Sequence, residues 1–252
     1  MKDLSLLIPV RNEETVIGKT ISAIRNVLDG ASIHYEIIII NDGSTDNTKS
    51  VLQDLCSQYS SVAYIDNPAP NGFGLAIRRG LEVFDGRNVI IVMGDGSDDP
   101  RDIVSYYQIL EHEAECAFGS RFIPRAHVHD YPIHKLILNR IANTFIKLLF
   151  GITYNDTTNA FKGYRRDVIK SLTPLLSHHF NLTVELPLKV IVRGYTYKVI
   201  PINWYNRLTG ISKLKIREMG GRYLFIILYL WLEKILVRSD YYRADKIKEK
   251  EL

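Results

Sequence analysis

Three short acidic stretches stand out among the residues able to do chemistry. The first reads Pro9-Val10-Arg11-Asn12-Glu13-Glu14, the second Asn41-Asp42-Gly43-Ser44-Thr45-Asp46-Asn47-Thr48, and the third Gly94-Asp95-Gly96-Ser97-Asp98-Asp99-Pro100. A single acidic turn is ordinarily a helix cap or a solvated loop. Three brought to one place repel one another unless a cation gathers them. Asp95, Asp98 and Asp99 could hold a hard divalent ion through oxygen, with water and a diphosphate completing its shell. Such an ion offsets the charge of a departing nucleotide. One of Asp98 and Asp99 is also expected to cap the helix that starts near Arg101.

The elements around these stretches explain how they would meet. Leu4–Val10, Tyr35–Ile40 and Asn88–Met93 are short apolar runs rich in β-branched residues. They read as strands buried on both faces, the habit of a parallel sheet. Between them Ile17, Ile21, Ile24 and Leu28 fall on one helix face, and Val51, Leu52, Leu55 and Tyr59 repeat the pattern. Asn12 is expected to cap the first helix, with Glu13 and Glu14 in its opening turn. Strand–helix alternation implies right-handed crossovers and an α/β fold with a mostly parallel sheet. Ligands bind such sheets at the carboxyl ends of the strands, where all three acidic stretches lie.

After Gly119 the texture changes. A long helix is expected over 133–150, another near 185–192, a strand near 197–200, and an apolar helix over 223–232. The last has Arg222, Lys234 and Arg238 beside Tyr223, Phe225, Tyr229 and Trp231, the mixture of an interfacial helix. The helices over 133–150 and 223–232 are the candidates for lipid contact, with core packing the first expectation for the one over 133–150. The natural partition is one domain over 1–215 and a helical, membrane-interfacial tail over 216–252.

Composition excludes several classes. The chain has 252 residues, 46% apolar and 24% charged, which is ordinary for a folded domain and leaves no room for long disorder. A net charge of +4 without strong clustering argues against a nucleic-acid partner. No apolar run reaches the roughly 20 residues of a membrane-crossing helix, and the opening residues do not read as a signal peptide. Cys56 and Cys116 form no CxxC pair, so a reducing compartment is expected and a zinc site is not. Ile77 stands where the third glycine of a dinucleotide fingerprint would be, and no GxxxxGK[ST] loop exists. The seven histidines show no ligand spacing. Asn155-Asp156-Thr157 and Asn181-Leu182-Thr183 are read as chance sequons.

Taken in order and spacing, these motifs resemble the family 2 glycosyltransferases of the GT-A fold. Gly119-Ser120-Arg121, the run Asp156–Arg166, and Arg207-Leu208-Thr209-Gly210-Ile211-Ser212-Lys213 are similar to the dolichyl-phosphate mannose synthase branch, over roughly residues 4 to 215. The resemblance implies a nucleotide-sugar pocket lined by Pro9, Arg11 and Glu13, with Asp42 at the base and Gly94 and Asp95 at the diphosphate. Asp95 matches the second Asp of the family's DxD, and Ser97 stands where a metal-binding Gln is common. Asp95, Ser97 and Asp98 are therefore the expected ligands of Mg²⁺ or Mn²⁺. Arg121, Arg207 and Lys213 match basic positions around the diphosphate and the acceptor phosphate, with Arg140 a further one. Asp95, Arg121, Arg207 and Lys213 carry the implied catalysis.

The chain departs from the pattern at four places. Met93 replaces the first Asp of DxD, Asn41 the first acid of DDGS, Arg11 an aromatic residue and Lys162 an arginine. The implied activity is inverting transfer of a hexose, mannose from GDP-mannose first, onto a polyprenyl or dolichyl phosphate at the cytoplasmic face of a membrane. The alternatives are a UDP-glucose or UDP-N-acetylglucosamine donor, a saccharide hydroxyl acceptor with Glu185 as base, and a nucleotide-sugar-binding scaffold without catalysis.

Overall fold

The computed structural model describes residues 1–206 and 216–242. Seven strands form the main sheet, in chain order β1 Lys2–Val10, β2 Tyr35–Asn41, β3 Val62–Asp66, β4 Gly86–Ile91, β5 Cys116–Ser120, β7 Lys162–Arg165 and β8 Tyr197–Pro201. Their spatial order is β3-β2-β1-β4-β7-β5-β8. Every neighbouring pair is parallel except those made by β7, which runs antiparallel to both β4 and β5. The order reverses between β1 and β4, and a crevice opens there at the carboxyl ends. The first and third acidic stretches leave the sheet at that crevice, and the second follows β2 next door.

The expected strands and helices formed where their patterning placed them. Helices α1 Ile17–Gly30, α2 Thr48–Gln58, α3 Phe73–Val83 and α4 Pro100–His112 cover the two faces of the sheet. Leu6, Ile8, Ile37 and Ile39 bury one face against α1 and α2, while Leu7, Ile38 and Ile40 bury the other against α3. Burial on both faces is why these strands read as unbroken apolar runs.

Asn12 does not cap α1. The helix begins at Ile17 without a side-chain cap, and Asn12 has φ of 54°. Its side chain turns to the second acidic stretch, accepting the Thr45 N–H at 2.7 Å and donating to Thr45 Oγ1. The asparagine therefore joins two loops rather than starting a helix. Asp99, by contrast, caps α4 by accepting the Arg101 N–H at 3.0 Å, and Pro100 opens the helix.

The second half adds a two-stranded sheet, β6 His127–His129 with β9 Asn203–Tyr205, and the helices α5 Ile133–Phe150, α6 Arg166–Ser171, α7 Leu182–Val192 and α8 Ile216–Leu236. α8 packs on α7 and α5 through Ile226, Ile227 and Leu230 against Val184, Leu188, Ile146 and Phe150. Buried Arg193, the residue after α7, pairs with Glu233 of α8 at 3.0 Å. α5 does not behave as a core helix. Only Asn143, Ile146 and Phe150 are buried, and Ile133, Ile137, Ile141 and Leu148 stand in solvent.

Glu185 is fully buried on α7. It pairs with Lys189 at 2.7 Å and accepts the N–H groups of Leu176 and Ser177. Glu185→Ala leaves the buried Lys189 ammonium without its counter-ion, held only by the Leu172 and Pro174 carbonyls, and two amides without their acceptor, and is expected to cost about 3–5 kcal/mol. Urea denaturation measures this; a loss below about 1 kcal/mol would contradict the assignment.

Candidate functional site

One cavity of about 930 Å³ opens at the crevice. Pro9, Arg11 and Glu13 come from the end of β1 and the loop beyond it, Asp42 from the turn after β2, and Asp95, Ser97 and Asp98 from the loop after β4. Arg121, one residue past β5, lines the same cavity. Eight of the expected site residues thus line one space. Gly94 is buried behind it, where a Cβ would lie 2.5 Å from Val10 Cγ1. Arg140 is not among the lining residues; it donates to the Asn155 carbonyl at 3.0 Å and stacks over Phe122. Arg207 and Lys213 lie outside the described residues.

Each wall has a local cause. Asp42 is buried and fixed, because its Oδ1 accepts Asn67 Nδ2 at 2.7 Å and the Gly72 N–H at 2.9 Å. Gly72 is required by close approach: a Cβ there would meet the His178 carbonyl at 2.5 Å. Gly96, at φ of 72°, makes the turn of the third acidic loop. Within that loop Asp95 accepts the Ser97 N–H at 3.1 Å and Asp98 accepts the Met93 N–H at 2.9 Å. Burial pushes the Asp98 carboxyl up to about 7, and the neighbouring Asp95 charge adds to the effect. Asp99 is withdrawn from this set by its 2.6 Å pair with Arg101.

Among the described residues no group of three or more His, Cys, Asp or Glu forms a protein-only metal cage. The loop instead offers two carboxylates, Asp95 and Asp98, and the Ser97 hydroxyl. That donor set fits Mg²⁺ or Mn²⁺, since such ions are commonly held by one or two carboxylates with substrate phosphates completing the shell. A cation there would also relieve the raised Asp98 carboxyl.

Arg121 is the cationic counterpart. Its Nε and Nη2 each donate to Asp156 at 2.8 Å, a fork in which the carboxylate is fully buried. Burial works against the guanidinium charge, and Asp156 outweighs it, so the pKa rises. The Arg121 Nη1 has no hydrogen-bond partner among the described residues. Asp156 belongs to a loop held from two sides. Asn143 of α5 accepts Thr157 Oγ1 at 2.7 Å, and Lys162 donates to the Thr157 and Asn159 carbonyls. Burial lowers the Lys162 ammonium to about 7.

Several residues not expected in the site line the cavity. Tyr131, Trp204, Phe180 and Tyr223 supply aromatic walls, Tyr223 from the helix read as interfacial, and Leu138, Phe145 and Leu224 add apolar side chains from α5 and α8. Asp156 and Lys162 lay inside a quoted motif without an assigned role. Trp204 stands three residues before Arg207, which was the available signal. The Glu185 considered as a base is sealed in its ion pair and is not among the lining residues.

Lys162 predicts a pH signature. Its folded pKa lies below the unfolded value, so between about 7 and 10.5 the unfolded chain binds the extra proton and stability rises with pH. Lys162→Met is expected to flatten that rise in melting temperature; an unchanged slope would contradict a buried, depressed ammonium.

Comparison with known proteins places this geometry. The Glycosyl transferase family 2 model matches residues 5–173. The polyprenol monophosphomannose synthase of Mycolicibacterium smegmatis is 26% identical over 215 residues, covering 83% of this chain and 80% of that protein. The dolichol-phosphate mannosyltransferase of Pyrococcus furiosus is 26% identical over 218 residues, covering 84% of this chain but 59% of that protein's length. Among solved structures, glucosyl-3-phosphoglycerate synthase from Mycobacterium tuberculosis, crystallised with Mn²⁺, uridine diphosphate and phosphoglyceric acid, has a TM-score of 0.69 at 17% identity. That match covers 91% of this chain and 78% of the other, and shares the GT-A-like fold. With its switch-point cavity and a family match over most of its length, the chain belongs to glycosyl transferase family 2 and is a glycosyltransferase.

Proposed function

We propose that this glycosyltransferase moves a hexose, mannose from GDP-mannose first among donors, onto a polyprenyl phosphate, with inversion at the anomeric carbon. One observation carries the reading. The cavity wall carries an acidic rim and Arg121 and, from α5 and α8, the apolar Leu138, Phe145 and Leu224 beside Lys135 and Arg222. A sugar nucleotide with its cation suits the acidic rim, and a phosphate with an apolar tail suits the cationic and apolar side chains. The names of the curated relatives point the same way.

In this reading Asp42 and Pro9 seat the nucleotide, and Asp95, Ser97 and Asp98 hold the cation against the diphosphate. A bound Mg²⁺ or Mn²⁺ would supply charge stabilisation for the leaving nucleoside diphosphate. Arg121 directs Nη1 to a phosphate oxygen, while Arg207 and Lys213 belong to the acceptor-phosphate side. A lipid phosphate is largely ionised near neutral pH, its second pKa being about 6. It attacks without a strong general base, in keeping with the absence of Glu185 from the cavity wall. The chain's task is then to align two anions for in-line displacement and to offset their repulsion.

The exterior supports a lipid partner. α5 exposes Ile133, Ile137, Ile141 and Leu148, and α8 exposes Leu224, Phe225, Leu228 and Leu232. No helix among the described residues is long and apolar enough to cross a membrane. Contact with the bilayer is therefore proposed to be peripheral, with both helices at the interface.

A panel of radiolabelled GDP- and UDP-sugars tests the reading, with Mg²⁺ or Mn²⁺ and either polyprenyl phosphate in anionic vesicles or 3-phosphoglycerate. Label is expected in the lipid from GDP-mannose, falling by several orders of magnitude in Asp95→Asn, and the protein is expected to float with the vesicles. Label in phosphoglycerate alone, or full activity of Asp95→Asn, would overturn it.

A further inference from the structure

Tyr131 and Trp204 form an aromatic wall of the cavity. Trp204 sits on β9, whose backbone is fastened to the third acidic loop. Trp204 forms an antiparallel bridge with Asp98, and the Tyr205 N–H donates to the Ser97 carbonyl at 2.9 Å. Asn203 anchors the same strand by donating its N–H to Asp102 at 2.9 Å. The indole is partly exposed and lines the cavity. Tyr131 lies beside it, with ring centroids 4.9 Å apart and planes inclined by 42°. The Arg121 guanidinium carbon lies 5.5 Å from the Tyr131 centroid and 5.7 Å from that of Trp204.

Trp204 is thus bracketed by the loop that offers carboxylates to a diphosphate and by the cation that offers Nη1 to a phosphate. In the proposed transfer the hexose occupies the space between those two groups, since its anomeric carbon is bonded to one phosphate and attacked by the other. A pyranose ring presents C–H groups on its faces and hydroxyls around its edge. An aromatic face, negative at its centre, takes the C–H side and leaves the hydroxyls for polar partners. Two inclined rings form a corner, which fixes the orientation of the sugar as well as its place. Such fixing is what an in-line displacement needs.

We propose that Trp204, backed by Tyr131, is the platform on which the donor's hexose ring rests. The inference rests on the donor reading above and adds the residues that recognise the sugar rather than the nucleotide. It separates two parts of donor affinity, one from the nucleoside diphosphate at Asp42 and Asp95, and one from the sugar at Trp204.

The protein has two tryptophans, Trp204 and Trp231, so Trp231→Phe leaves Trp204 as the only indole reporter. In that background, with Mn²⁺ present, GDP and GDP-mannose are titrated while tryptophan emission is followed. GDP-mannose is expected to shift or quench the emission beyond the change caused by GDP. Calorimetry on Trp204→Ala, with melting and circular dichroism to confirm folding, is expected to retain GDP affinity. The extra affinity of GDP-mannose over GDP should fall by about tenfold, and Trp204→Phe should restore most of it. If Trp204→Ala keeps the full advantage of GDP-mannose over GDP, the platform is overturned while the donor reading stands. If the parent chain binds neither GDP nor GDP-mannose, and likewise neither UDP nor UDP-glucose, the donor reading fails and the platform with it. Should Trp204→Ala not fold, Trp204→Leu, which keeps apolar bulk without an aromatic face, takes its place and is expected to lose the same advantage; an emission response identical for GDP and GDP-mannose overturns the proposal.

Discussion

A guanidinium held nearly out of water at the wall of a cavity is costly. Removing one such ion from water carries an effective penalty of several kcal/mol, which only close, well-oriented partners repay. Arg121 has such a partner in Asp156, and the cost propagates outward. Asp156 must itself be fixed, so its loop is tied to α5 by Asn143 and supported from below by Lys162. The fork uses Nε and Nη2 and leaves Nη1 without a partner among the described residues, so an anion in the cavity that Arg121 lines can take it without displacing a protein group. The long α5, the loop after it and strand β7 all serve this one charge.

The acidic loop obeys a complementary constraint. Asp95 and Asp98 sit at the carboxyl end of β4, where the strand order reverses and a crevice is unavoidable. Their proximity, together with burial, raises the Asp98 carboxyl and makes the loop a better host for a cation than for two bare carboxylates. β9 spans the two walls, bonded to the acidic loop through Trp204 and Tyr205 and packed against Arg121 through its indole. Carboxylates and a guanidinium lining one cavity give a space suited to an anionic ligand with a metal, as the proposed transfer requires.

Much of the first half was legible in the residues because its physics is local. Leu4–Val10, Tyr35–Ile40 and Asn88–Met93 are buried on both faces, so continuous β-branched runs had one reading. Loop chemistry at their ends followed from the rule that open α/β sheets bind ligands there. The second half was less legible. β7 is four residues long, and its antiparallel pairing with β4 and β5 depends on partners more than 40 residues away. α5 has apolar residues at helical spacing, which favours burial when only the helix is considered; its solvated face depends on tertiary placement. Asn12 has the right type for a cap, but a long-range bond to Thr45 outcompeted the local one. Asp156 and Trp204 carry no signature alone, because their roles exist only through Arg121 and Asp98.

One arrangement is central, an acidic loop and a buried arginine lining the cavity proposed to take a sugar nucleotide. A crystal soaked with GDP-mannose and Mn²⁺ tests it most directly. The expected density places the metal on Asp95 with the diphosphate beside it, the base near Asp42, and Arg121 Nη1 turned toward the reacting end. Ligand density outside the crevice, with Asp95 and Arg121 both untouched, would contradict the account.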